Sequence, residues 1–114
     1  MYEYRARMVR VIDGDTVEAE IDLGFHVSVR ATLRLVGIDA PEVHGPDRPR
    51  GLAATAHLEE LLKQNTPADG IVTVRTQKDV TEKYGRYLAE IIAGQVNVNE
   101  RMLAEGQARP FDGR

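Results

Sequence analysis

Five charged side chains in this sequence are of the types that phosphate-ester chemistry needs, and they fall on or just after strands and in loops. Asp15 lies in Val11-Ile12-Asp13-Gly14-Asp15-Thr16, just after an apolar pair. Arg34, Asp39 and Glu42 punctuate Arg34-Leu35-Val36-Gly37-Ile38-Asp39-Ala40-Pro41-Glu42, and Arg86 closes Lys83-Tyr84-Gly85-Arg86. Two carboxylates and a backbone carbonyl make an oxygen site for Ca²⁺ or Mg²⁺, with water completing the shell. Two arginines offer planar, permanently charged forks for a phosphate. A further carboxylate can take a proton from an attacking water. Together these parts suit phosphodiester hydrolysis, where catalysis is mainly positioning and charge neutralisation. Singly, an Asp-Gly turn, a Pro-Glu after a strand and a Tyr-Gly-Arg loop each have ordinary structural explanations.

Composition narrows the chemistry. The 114 residues suffice for one domain with a modest core, and 42% hydrophobic with 29% charged residues is an ordinary globular balance. With no Trp and only 2 Phe and 4 Tyr, that core must be built from Val, Leu, Ile and Ala. The absence of Cys excludes disulfides and thiolate metal sites. Three His at unrelated positions leave carboxylate oxygens as the metal donors, which favours a hard cation. A net charge of −3 argues against a strong sequence-independent nucleic-acid binder but allows a local basic site. No apolar run approaches membrane-spanning length, and Met1-Tyr2-Glu3-Tyr4-Arg5 lacks the hydrophobic core of a secretory signal. The expected setting of the chain as it stands is cytoplasmic, with secretion from a processed precursor as the other route.

The elements that must position these groups follow from periodicity. Tyr2 to Ile12 alternates loosely as a first strand, and Asp13-Gly14-Asp15 turns it. Thr16 to Leu23 alternates strictly, as a half-exposed antiparallel strand does. Val27 to Ile38 reads as a third strand. Pro41 to Gly51 reads as a loop, and Leu52 to Gln64 as a helix with Leu52, Ala56, Leu58, Leu61 and Leu62 on its apolar face. Ile71 to Thr76 is a short strand, Lys78 to Arg86 a charged loop and Tyr87 to Ala93 the fifth strand. Val98 to Glu105 is a second helix with Asn97 or Asn99 as N-cap, and Arg109 to Arg114 a tail. Three meandering strands, a helix, two strands and a helix match an α+β fold: a five-stranded Greek-key barrel of the OB type, with a helix between strands three and four and a C-terminal helix. With no repeat or linker, residues 1–114 are expected to form a single domain.

One geometric demand stands out. Arg34 and Asp39 are an odd number of residues apart, so a regular strand would point them to opposite faces. The backbone must therefore leave regular pairing near Gly37 to Asp39 if both serve one site.

The sequence resembles the staphylococcal nuclease (thermonuclease) family. The likeness rests on Val11 to Thr16, Arg34 to Glu42, Lys83-Tyr84-Gly85-Arg86-Tyr87-Leu88-Ala89 and Val98-Asn99-Glu100, with Leu103, Gly106 and Ala108 following, in the family's order and near its spacing. The resemblance implies an OB barrel and cleavage of the P–O5′ bond of DNA and RNA, leaving 3′-phosphate ends. It implies Asp15 and Asp39 as Ca²⁺ ligands, joined by the backbone carbonyl of Ala40, where the family usually has Thr. Asp13 would stand behind the ligands and help hold the cation's water. Glu42 would be the general base, and Arg34 and Arg86 would grip the scissile phosphate. Lys83 and Tyr84 would contact a neighbouring phosphate.

The expected partner is a DNA or RNA substrate, with no membrane, no protein partner and a monomeric state. The other function class for such a fold is a noncatalytic OB module that binds nucleic acid or protein, usually after loss of site residues. Here the set Asp15, Arg34, Asp39, Glu42 and Arg86 is complete, which favours the enzyme. Two departures bear on substrate binding. The C-terminal segment has no tyrosines of the kind that flank the base in secreted bacterial members, only Phe111, and Val43 to Arg50 is shorter than usual.

Overall fold

The computed structural model describes residues 2–81 and 85–112, with the backbone alone for 77–81. Its first strand, β1 (Tyr2–Asp13), is long enough to pair on both sides, with β2 (Thr16–Asp22) and with β5 (Val72–Thr81). β2 keeps the alternation of its sequence: Val17, Ala19 and Ile21 are buried, while Glu18 and Glu20 face outward. It pairs in register with β3 (Ser28–Leu35), from Asp22 opposite Ser28 to Thr16 opposite Arg34. β6 (Tyr87–Ala93) lies antiparallel to β5 and closes the barrel by a short parallel ladder to β3, Leu33 to Leu35 against Tyr87 to Ala89. The result is the closed five-stranded OB-type barrel with two helices.

The core is aliphatic, as the composition requires. Its largest fully buried side chains include Leu33, Leu35, Ile38, Leu58, Ile91 and Met102, with no aromatic ring among them.

The third strand is shorter than its apolar run. β3 ends at Leu35, Val36-Gly37 turns the chain with Gly37 at φ 85°, and β4 (Ile38–Asp39) starts a separate two-stranded ladder. Its partner is β8 (Arg109–Pro110), so the residues read as a tail are part of the fold. β5 runs on to Thr81, opposite Tyr87, where a loop was expected, because backbone pairing does not depend on apolar side chains. A two-residue strand, β7 (Val96–Asn97), pairs with β6 ahead of the last helix.

The loop after Glu42 is also shorter than its composition suggests. A single 3₁₀ turn covers Gly45–Asp47, and α1 (Arg48–Asn65) begins at once, with Pro49 in its first turn. The buried face of α1 is Gly51, Ala54, Leu58, Leu61 and Leu62, while Leu52 and Ala56 face solvent. The small residues Gly51 and Ala54 set this face because the helix start lies tight against the chain beneath it. α2 (Val98–Ala104) is capped by the Asn97 side chain, which accepts from the Glu100 amide at 3.0 Å.

Asn99, on the first turn of α2, is buried and fully bonded. Its amide donates to the carbonyls of Val36 and Ala89, both at 3.0 Å, and its Oδ1 accepts from the Ile91 N–H at 3.1 Å. One side chain thus ties α2, β6 and the turn after β3 together. That turn leads directly from Arg34 to Asp39.

Candidate active site

The β1–β2 hairpin delivers Asp15. Asp13 Oδ1 accepts from the Asp15 amide at 3.1 Å, a local side-chain turn that shapes the hairpin. The Asp15 carbonyl accepts from the Leu35 N–H at 2.7 Å, which fastens the hairpin to the end of β3. Between them, Gly14 is wedged: a Cβ there would lie 2.7 Å from Ala40 Cβ and 2.8 Å from Ala54 Cβ. The hairpin, the Asp39-Ala40 segment and α1 therefore meet with no room for a methyl group.

The Asp15 carboxylate is buried and holds three neighbours. Oδ1 accepts from the Thr16 hydroxyl at 2.9 Å, and Oδ2 accepts from the Ala40 amide at 2.8 Å. Arg34 Nη2 lies 3.4 Å from Oδ2. Burial pushes the Asp15 carboxyl up to about 6, helped by a hydrogen bond and like charge from Asp13 and opposed by the Ala40 N–H and by Arg34.

Arg34 leaves β3 beside this carboxylate. Its Nη1 donates to the carbonyls of Leu35 and Ile38, both at 2.8 Å, so the turn through Gly37 wraps around the guanidinium and locks it. Its Nη2 faces both carboxylates, Asp15 Oδ2 at 3.4 Å and Asp39 Oδ1 at 3.6 Å. The turn at Val36-Gly37 therefore resolves the odd spacing of Arg34 and Asp39. The ring of Phe111 packs over the guanidinium with its centroid 5.7 Å from Cζ.

Asp39 is more open than Asp15. Its Oδ2 accepts from Arg109 Nε at 3.0 Å and lies 2.9 Å from Arg109 Nη2. Beyond it a cleft of about 390 Å³ is lined by Asp39, Ala40, Glu42, Arg50, Gln107 and Arg109, among others. Glu42 is exposed on this cleft, and its backbone is pressed against α1: a Cβ on Gly51 would meet the Glu42 carbonyl oxygen at 2.1 Å. Arg50, expected in a loop, sits in the first turn of α1 and is paired with Asp47 at 2.7 Å.

Of the residues read from the sequence, Asp13, Asp15, Arg34, Asp39 and Ala40 form one contact cluster, and Glu42 lines the adjoining cleft. Arg86 is half-buried and directly precedes Tyr87, at the start of the strand whose Leu88 is the register partner of Arg34. Lys83 and Tyr84 lie outside the described residues. Among the described residues, Arg109 contacts this cluster without having been singled out in the sequence. A two-residue strand carries no periodicity, and an arginine before Pro-Phe looks like solvated chain.

The donor set suits a hard divalent cation. Among the described residues no three acidic or imidazole side chains form a ready ligand group, so two carboxylates and backbone oxygen would have to serve. Burial, more than the like charge of Asp13, raises the Asp15 carboxyl, and the Ala40 N–H and Arg34 only partly oppose it.

The family model for staphylococcal nuclease homologues matches residues 32–112. The chain belongs to this family. The match takes in Arg34, Asp39, Glu42, Arg86 and the C-terminal ladder, while the Asp15 hairpin precedes it. Longer alignments include the hairpin region. A thermonuclease of Staphylococcus hyicus is 31% identical over 110 residues, covering 94% of this chain and 59% of its own. A thermonuclease of Staphylococcus intermedius is 32% identical, covering 88% of this chain and 55% of its own. An uncharacterized endonuclease of Escherichia coli is 34% identical over 111 residues, covering 96% of this chain and 63% of its own. The nuclease-family chain described here thus spans only 55% to 63% of the length of these relatives.

Proposed function

We propose that this chain is a divalent-cation-dependent nuclease that hydrolyses phosphodiester bonds in DNA and RNA. The observation that carries the reading is the convergence of two carboxylates from separate loops on one locked guanidinium, 3.4 Å and 3.6 Å away. Such a juxtaposition has little value for stability alone, because burying Asp15 costs free energy. The family membership and the thermonuclease and endonuclease relatives support the same class.

Asp15, Asp39 and the backbone of Ala40 would hold the cation, with Ca²⁺ the expected ion. When bound, it supplies Lewis-acid stabilisation of the charge that builds on the phosphate. Glu42, open to the cleft, is suited to accept a proton from the attacking water. As the water oxygen bonds to phosphorus, the P–O5′ bond breaks, the phosphate stays on the 3′ side and the leaving oxygen takes up a proton. Arg34 and Arg86 would neutralise the phosphoryl oxygens. Arg34 arrives preorganised, since Nη1 is held by two carbonyls and needs no reordering during reaction.

The test is digestion of single-stranded DNA and of RNA by the purified chain, with Ca²⁺ and with chelator, followed by chemical analysis of the new ends. The expected outcome is Ca²⁺-dependent cleavage leaving 3′-phosphates, lost in Glu42→Gln. Binding of the same strands without cleavage under any divalent cation would replace the reading with a noncatalytic one.

A further inference from the structure

We propose that Arg109 is a positioning residue that sets the Asp39 carboxylate for the divalent cation, an inference that rests on the metal-dependent reading above. The two oxygens of Asp39 are divided between two arginines. Both Nε and Nη2 of Arg109 approach Oδ2, at 3.0 Å and 2.9 Å, whereas Oδ1 faces Arg34 Nη2 at 3.6 Å. Two contacts on one oxygen fix the rotation of the carboxylate. They leave Oδ1 turned toward the nitrogen that Asp15 Oδ2 also approaches, at 3.4 Å. Arg109 therefore occupies the outer oxygen and leaves the inner one for the site.

The backbone holds Arg109 in place. Asp39 and Arg109 are register partners in the β4–β8 ladder, as are Ile38 and Pro110. The Phe111 N–H donates to the Gly37 carbonyl at 2.9 Å, and its ring covers the Arg34 guanidinium. Residues 109–111 thus touch both inner groups: Arg109 orients the carboxylate and the Phe111 ring packs over the guanidinium.

Arg109 also carries a positive charge close to where a cation would bind, and that effect opposes the first. The magnitudes decide between them. The Arg109 side chain is 77% exposed, so its field is screened by water and salt and weakens cation binding only about a few-fold. Loss of a group that orients a metal-ligating carboxylate typically costs about 10–100-fold in affinity. Orientation wins.

The test is calorimetric titration of Ca²⁺ into the full chain, wild type, R109A and R109K, alongside metal-free melting curves. R109A is expected to bind Ca²⁺ about 10-fold more weakly or worse, with a metal-free melting temperature close to wild type, as for loss of an exposed ion pair. R109K keeps the charge but replaces the fork with a point donor, and it too is expected to bind more weakly. Unchanged or tighter binding by R109A overturns the inference, as does wild-type affinity in R109K. A wild-type chain that binds no divalent cation overturns the metal reading and this inference together. Wild-type binding with an insensitive R109A removes the inference alone.

Discussion

Asp15 and Asp39 face the same guanidinium nitrogen but are held there in opposite ways. Asp15 sits in a two-residue hairpin turn, buried, with its oxygens bonded to Thr16 and Ala40 and its backbone clamped by Gly14 and Leu35. Asp39 sits on a two-residue strand, partly open to a cleft, and a distant residue, Arg109, restrains it through charge. One carboxylate is fixed by packing that resists its ionisation, the other by an ion pair that solvent weakens. The site therefore combines a rigid anchor with an adjustable arm. The two should respond differently to mutation, to pH and to metal.

The largest expected effects fall on the group they share. Arg34→Ala removes the shared cation, the proposed phosphate grip and the donor to the Leu35 and Ile38 carbonyls at once. Single-turnover cleavage should fall by about 10²-fold or more, and the melting temperature should drop as well. Glu42→Gln should match the loss in rate without the loss in melting temperature, because Glu42 is exposed. A rate loss in Arg34→Ala that is fully explained by unfolding would remove the grip assigned to Arg34.

The next effect separates the two carboxylates by sign. The folded-state Asp15 carboxyl stands at about 6 against an ordinary 3.8, so the native chain holds this proton more tightly than the unfolded chain does. Below pH 3.8 the group costs nothing. The cost grows as pH rises toward 6 and is constant above it, at up to about 3 kcal/mol for a shift of this size. Asp15→Asn should therefore stabilise the metal-free chain at pH 7–8 and flatten its stability between pH 4 and 6. An amide can still accept from the Ala40 N–H with its oxygen while its nitrogen donates to the Thr16 hydroxyl. Melting in chelator across that range checks this. Added Ca²⁺ should reverse the order by stabilising wild type and not the variant. A destabilised Asp15→Asn at pH 8 in chelator would mean that its hydrogen bonds outweigh the cost of its charge.

Gly14→Ala attacks the packing of the anchor without touching a charge. The added methyl would lie under 3 Å from two Cβ atoms, so hairpin, Ala40 and α1 must part. Overpacking of this kind costs about 1–3 kcal/mol. Because Asp15 and Ala40 separate as a result, Ca²⁺ affinity should fall along with stability in a denaturant titration.

Most of the site was legible in the sequence where chemistry and turn grammar coincide. Asp13-Gly14-Asp15 announces a hairpin, and Arg34 to Glu42 announces a strand that must leave regular pairing near Gly37 to Asp39; it does so slightly earlier, at Val36-Gly37. The arm was not legible. Arg109-Pro110 pairs with Ile38-Asp39 over two residues, too few for a period-2 pattern, and its value arises only when the barrel brings residues 70 positions apart together. The start of α1 was missed for a related reason. Its inner face near Pro49 uses Gly51 and Ala54, whose smallness serves a close approach that hydrophobic periodicity does not register.

The smallest expected effect sharpens the contrast most. Asp39→Asn in the metal-free chain removes the ion pair with Arg109, which is 77% exposed, and the longer 3.6 Å contact with Arg34, from a carboxylate side chain that is itself 30% exposed. Exposed pairs of this kind contribute at most about 1 kcal/mol. The variant should therefore lose a little stability at pH 7–8, where Asp15→Asn gains. Both should lose Ca²⁺ binding, since each withdraws an anionic donor from the same place. Opposite shifts in melting temperature in chelator, with a common loss of calorimetric Ca²⁺ binding, would distinguish a metal site from a structural ion-pair network. In such a network neither substitution would alter a response to metal, whatever its effect on melting in chelator. The loss of the calorimetric response carries that distinction, while the opposite signs in chelator separate the buried anchor from the open arm even where both shifts amount to only a few degrees.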